Sequence, residues 1–356
     1  MLQRPSAKTF LRRTRTSSIA VAAVLSLLLA GTRAASADPV EDFYRGKTIS
    51  LIMGTSAGND YDFRGRLLAR HLSRYIPGHP TIVPRNMPGA GGIIAANYLA
   101  ALAPRDGTTL HMIMANMMSA QAMKSPGIEF DTRKFSWIGN TTSSPNVLTT
   151  WAASGVKTIE DARLRSASLG APTGTSGVLY AELLNAVAGT KFKIVTGYPG
   201  GNEVNLAMER GEVDGRGSIA WASWKATKPD WVATGKLNYL VQVALKRDPE
   251  LAQVPLLLDF AKNDEDRAVL HFLSADTAVA RSLVTTADVP PERVAALRRA
   301  FDAVVKDAEF LADADKTKMD ISPTAGEDAQ KIADSIADTP DSVIARARSI
   351  LGDLLK

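Results

Sequence analysis

Three short stretches of this chain combine glycine with small hydroxyl and amide side chains, residue types that leave backbone N–H groups free to meet an anion. The first is Gly54-Thr55-Ser56-Ala57-Gly58-Asn59-Asp60. The second is Ala171-Pro172-Thr173-Gly174-Thr175-Ser176-Gly177, and the third is Gly197-Tyr198-Pro199-Gly200-Gly201-Asn202. Each stands where a predicted strand gives way to a predicted helix. The N-terminal end of a helix carries about half a positive charge and unpaired N–H donors, so it suits a carboxylate or phosphate. In open α/β sheets such loops gather at the carboxyl ends of the strands, where ligands bind. Several of these helix ends aimed at one crevice would trap an anion with no metal and no catalytic base. One glycine-rich turn closing a βα unit would look the same, so the recurrence carries the argument.

Other chemistries lack their residues. Gly89-Ala90-Gly91-Gly92 departs from the dinucleotide pattern G-x-G-x-x-G because position 94 is isoleucine. Gly46-Lys47-Thr48 mimics the end of a phosphate-binding P-loop, but the earlier glycine would fall at Glu41 and the segment precedes a strand. His71, His79, His111 and His271 are scattered, without a metal-binding pair one helical turn apart. Ser176 misses the G-x-S-x-G nucleophile elbow by one residue, and no histidine base is indicated for it. No cysteine occurs, so neither disulfides nor thiolate chemistry is available. The expectation is a binding protein, not an enzyme, with no metal and no cofactor.

The N-terminus and the charge balance bound the setting. Residues 1–37 hold six basic residues and no acidic one. Ile19–Ala30 is apolar except for Ser26, and at 12 residues it is shorter than the roughly 20 that span a bilayer. Ala35-Ser36-Ala37 is a cleavage signal, so residues 1–37 read as a signal peptide and Asp38 as the mature start. That predicts export to the periplasm. The mature chain then carries 36 basic against 37 acidic residues. Without a net basic footprint it is not expected to bind nucleic acid. About 320 mature residues exceed a comfortable single core, so two lobes are expected.

Apolar segments alternate with helical ones along the chain, which argues α/β with largely parallel sheets. Strands are predicted at Ile49–Met53, Thr81–Val83, Thr109–Met114, Asn146–Trp151, Phe192–Thr196, Glu212–Ile219 and Tyr239–Leu245. The helix after the first loop should bury Phe63, Leu67, Leu68, Leu72 and Tyr75, leaving Arg64, Arg66, Arg70 and Arg74 outside that stripe. Further helices are predicted over Gly92–Leu102, Gly177–Val187, Glu203–Arg210, Pro291–Ala308, Ala325–Asp338 and Pro340–Leu355. No low-complexity linker is present. The lobe boundaries are therefore placed in strands that cross over, at Phe135–Gly139 and Gln242–Lys246. One lobe would take residues 38–138 and 246–356, the other residues 139–245.

Taken together, Ile49–Asp62, Val83–Pro88 with Gly89–Gly92, Asp106–Leu110, Gly197–Asp214, Lys246–Pro249 and Val289–Val294 resemble the receptor component of tripartite tricarboxylate transporters, the Bug-type extracytoplasmic solute receptors. The resemblance covers essentially the whole mature chain. It implies a two-lobed type II periplasmic binding fold that closes by a hinge around one small carboxylate. It further implies a monomeric receptor that delivers its ligand to integral-membrane permease subunits. Carried over, the ligand-binding residues are Ser56, Ala57, Gly58, Asn59, Asp60 and Asp62 in the first lobe. In the second they are Thr173, Gly174, Thr175 and Ser176, with Tyr198, Pro199, Gly200 and Gly201 near the crevice floor.

Two departures stand out. The family often has Pro-Gly-Gly in the first loop, where this chain has Ala57-Gly58-Asn59-Asp60, so Asp60 sets a carboxylate where an anion should sit. Tyr180 replaces a histidine common after the second loop. Asn116 and Asn140–Ser144 lie near strand ends and could present donors. Arg216 either points into the crevice to pair with a second carboxylate or lies at the surface beside Asp214. Trp221 and Trp224 either wall an aromatic pocket or pack the lobe interface. A receptor presenting its ligand to a signalling kinase, or an exported hydrolase using Ser176, remain alternative readings of the same sequence.

Overall fold

The computed structural model describes Met1 and residues 38–351. The expected signal peptide, and the last helix beyond Leu351, lie outside them. Among the described residues the strands are β1 (Thr48–Met53), β2 (Thr81–Asn86), β3 (Thr109–Met112), β4 (Ser136–Asn140), β5 (Asn146–Trp151), β6 (Ala167–Pro172), β7 (Phe192–Tyr198), β8 (Gly215–Ala220), β9 (Leu237–Val243), β10 (Ser282–Thr285) and β11 (Thr324–Ala325). The helices are α1 (Pro39–Tyr44), α2 (Asp60–His71), α3 (Ile93–Ala101), α4 (Met117–Ala122), α5 (Ile159–Leu164), α6 (Ser176–Ala188) and α7 (Gly201–Glu209). They continue with α8 (Trp221–Thr227), α9 (Pro229–Ala233), α10 (Asp264–Ala275), α11 (Pro291–Val304), α12 (Ala308–Lys316), α13 (Gly326–Ala337) and α14 (Asp341–Leu351).

Two sheets divide the chain. The first has strand order β11-β4-β10-β3-β1-β2 and the second β7-β6-β8-β5-β9. The chain crosses from first to second between Asn140 and Asn146, and leaves the second sheet after Val243. β1 has a parallel neighbour on either side, so Ile49, Leu51 and Met53 are fully buried, as the apolar run requires. β2 continues past the predicted Val83 because it is an edge strand, where Pro84 loses no ladder partner.

The sheets are mixed, which corrects the expectation of largely parallel ones. β1, β2 and β3 run parallel, as do β6, β7 and β8, but β10 and β5 pair antiparallel with both their neighbours. Those are the strands that follow the crossings. β10, only four residues long, escaped sequence reading, and β6, which contains Gly170 and Pro172, was expected ahead of the second loop but without bounds. The predicted helix Pro291–Ala308 ends at Val304, and Ala308 opens a new helix that the Asp307 carboxylate caps by accepting from Phe310 N at 2.7 Å.

Each sheet has its own apolar cluster, Ile49, Leu68 and Phe301 among the first and Val147, Trp224 and Trp231 among the second. A third cluster spans both, joining Trp137 and Leu99 of the first unit to Leu169, Tyr180 and Leu184 of the second through Leu270 and Leu273 of α10. α14 packs on α6 and α10, so the end of the described chain rests on the second lobe. No helix among the described residues is long and apolar enough to cross a membrane.

Candidate functional site

The carboxyl ends of both sheets open onto one cleft of about 420 Å³. On the first-lobe side β1 empties into Gly54–Asn59. Asn59 caps α2, its Oδ1 accepting from Asp62 N at 3.2 Å while its Nδ2 donates to Thr55 Oγ1 at 2.8 Å. Asp62 faces away from the cleft. Its carboxylate accepts from Gly58 N at 2.9 Å, Asn86 Nδ2 at 2.9 Å and Arg66 Nε at 3.0 Å. Burial alone would raise its pKa; these bonds hold it below the ordinary range.

Asp60, the residue that conflicts with anion binding, is neutralised from behind. It is 2% exposed and accepts from Arg64 Nε at 2.8 Å and Arg281 Nε at 2.6 Å. Burial opposes its ionisation, but the two guanidinium charges outweigh burial and its pKa is lowered. This pairing also explains the face of α2. Leu67, Leu68 and Leu72 are buried as expected, but Arg64 is buried at 1% exposure and Phe63 lies at 36%, because the helix turns Arg64 toward Asp60 one turn earlier.

The second-lobe side offers two helix ends that no side chain caps. Thr175 precedes α6, yet its Oγ1 donates to Pro172 O at 2.7 Å instead of bonding the first turn. Gly200 precedes α7 and has no side chain to cap with. The amides of those first turns are left for a ligand or water. Ser176 Oγ lies 3.3 Å from Ser218 Oγ, and no histidine among the described residues lines the cleft.

Of the expected site residues, Ser56, Asn59, Asp60, Asn116, Thr173, Thr175, Ser176, Tyr198, Pro199, Gly200, Gly201 and Arg216 line this cleft. Ala57, Gly58, Asp62 and Gly174 do not. Arg216 faces the cleft, while Asp214 is occupied by Ser168 N at 2.7 Å and Ser168 Oγ at 2.8 Å. Trp221 and Trp224 pack in the second-lobe cluster, and buried Tyr180 donates to Leu273 O at 3.1 Å outside the cleft. Sequence reading missed Tyr61, Asn146, Asn205, Ser218, Ser223 and Arg281 in the lining. For Arg281 no local signal existed, since its partner Asp60 is 221 residues away.

The two sides also touch directly. Asn116 Nδ2 of the first lobe donates to Gly174 O at 3.2 Å, and Asn202 Nδ2 of the second donates to Gly58 O at 3.0 Å. Gly91, at φ +64°, approaches so closely that a Cβ there would overlap Gly174 O. Away from the cleft, His71, Asp307 and Glu309 cluster with metal-like spacing. The Arg74 guanidinium occupies that cluster, bonding all three.

The family described as Tripartite tricarboxylate transporter family receptor matches residues 65–349. The chain belongs to this receptor family. A Cupriavidus necator protein named UPF0065 protein in gbd 5'region is 29% identical to the receptor over 235 residues, 64% of this chain and 68% of that one. Among solved structures, a Rhodopseudomonas palustris protein with adipate superposes with TM-score 0.65 at 20% identity, covering 86% of this receptor and 97% of that chain. MatC from the same organism, with bound malate, superposes with TM-score 0.63 at 19% identity, covering 86% and 99%. At those identities the likeness establishes the two-lobed binding-protein fold of the receptor.

Proposed function

We propose that this receptor works in the periplasm, captures a small organic carboxylate between its lobes, and delivers it to the membrane permease of a tripartite tricarboxylate-type transporter. One observation carries the reading: the uncapped N-termini of α6 and α7 face a single cleft together with the loop before α2. Partial positive charge and free N–H donors at two helix ends of one wall suit a carboxylate. Ligand contacts to both walls would favour the form in which the lobes meet, and the permease would read that form. The adipate and malate carried by the two R. palustris relatives support the choice of ligand class.

A thermal-shift screen of the purified protein against small carboxylates and their amides tests this. A ligand at about 100 times its dissociation constant adds about 2.7 kcal/mol of stability. One or more acids should raise the melting temperature while the matching amides leave it unchanged. A silent panel, with no small molecule released from the denatured protein by mass spectrometry, would sink the proposal.

A further inference from the structure

Arg216 enters the cleft from β8 with its charge unopposed. Its Nε donates to Ser218 O at 3.3 Å, and its Nη1 donates to Gly201 O at 3.1 Å and Asn205 Oδ1 at 2.8 Å. All three acceptors are uncharged. Nη2 keeps its two N–H donors without a protein partner among the described residues. Glu203, whose field reaches the group, is exposed at the head of α7 and makes no ion pair with it.

The position is built. Gly201 leaves room for the guanidinium, since a Cβ there would overlap Nη2. The ring of Trp224 lies 5.7 Å from Cζ. Burial lowers the pKa to about 10, which leaves the group charged at neutral pH. Arg281, the other cation in the lining, is already ion-paired with Asp60, a carboxylate it shares with Arg64. A cation fixed by neutral acceptors in a cleft lacks the partner that such charges normally have.

We infer that Arg216 is a specificity determinant, selecting acids that carry a second anionic group and binding that group through Nη2. The inference rests on the carboxylate reading above. In the bound state one carboxylate meets the α6 N-terminus and the other meets the guanidinium, which lies at the side of the cleft formed by α7. An acid with only one charge leaves Arg216 unpaired and gains nothing from it.

Isothermal titration separates the two readings. The probes are the α,ω-dicarboxylates from malonate to pimelate and the half-amide of each, titrated into the wild type and into Arg216→Gln and Arg216→Lys. In the wild type the best-fitting diacid should bind at least about tenfold tighter than its half-amide, the range of a charge-assisted bond. Arg216→Gln should bring the pair within about twofold, the diacid losing more affinity than its half-amide. Arg216→Lys, which keeps the charge but loses the planar fork, should retain part of the preference. A diacid preference that survives Arg216→Gln overturns the inference and leaves the receptor reading standing. Binding of neither diacids nor half-amides overturns both.

Discussion

Asp60 and Asp276 are both buried acids, and their surroundings give them opposite fates. Asp60 has two guanidinium partners and is ionised; breaking such a pair typically costs about 3–5 kcal/mol. Asp276, just after α10, accepts from Ser119 N at 3.3 Å and is also bonded by the Ser119 side chain, and it pairs with no cation among the described residues. Burial therefore pushes its pKa up to about 8, well above the ordinary 3.8. Between those values the native state holds a proton that the unfolded chain has released, so this group lowers stability as pH rises from about 4 to about 8. Asp276→Asn should remove that slope, leaving stability similar near pH 4 and higher than wild type at pH 8. Urea titrations across that interval check it; an unchanged slope would refute the assignment. In the sequence Asp60 stood out as a conflict, because its loop position was readable. Its resolution was not, since the compensating Arg281 arrives from the far end of the chain and α2 buries an arginine against its amphipathic pattern.

The three glycine-rich loops were legible as elements because their residue types announce turns and the helices after them are strongly patterned. What they do not announce is which helix ends keep their donors free. α2 is filled by its own Asn59 cap and two acids, whereas α6 and α7 are uncapped. The second-lobe loop should therefore dominate binding. Replacing Thr175 by valine and Ser176 by leucine should abolish carboxylate binding, lowering affinity at least about a hundredfold, while circular dichroism shows an intact fold. Retained affinity in that double variant would remove the loop from the site. Antiparallel pairing was harder to read, although β5 itself was expected at its observed bounds. β10 is short, and its pairing partners β3 and β4 are fixed by topology and not by any pattern within it.

At the scale of the molecule, size alone argued for two lobes, but no residue pattern hinted that they share an apolar cluster through α10. Nor did it show the reciprocal asparagines, each lobe donating one amide to a glycine carbonyl of the other. Two such bonds contribute about 1 kcal/mol each. Changing both Asn116 and Asn202 to alanine should weaken ligand binding by about tenfold and widen the ligand-free protein in solution scattering. An unchanged radius and affinity would show that the bonds do not set the balance between lobe arrangements.

Neither of those bonds passes through a ligand. Part of the grip between the lobes is thus indifferent to cargo, and under the transport role proposed above an empty receptor would imitate a loaded one. At a permease that recognises the clasped shape, such decoys would occupy the landing place without delivering anything. Uptake would then depend on the ratio of acid to receptor, and a cell that made more receptor than its surroundings could fill would slow its own import.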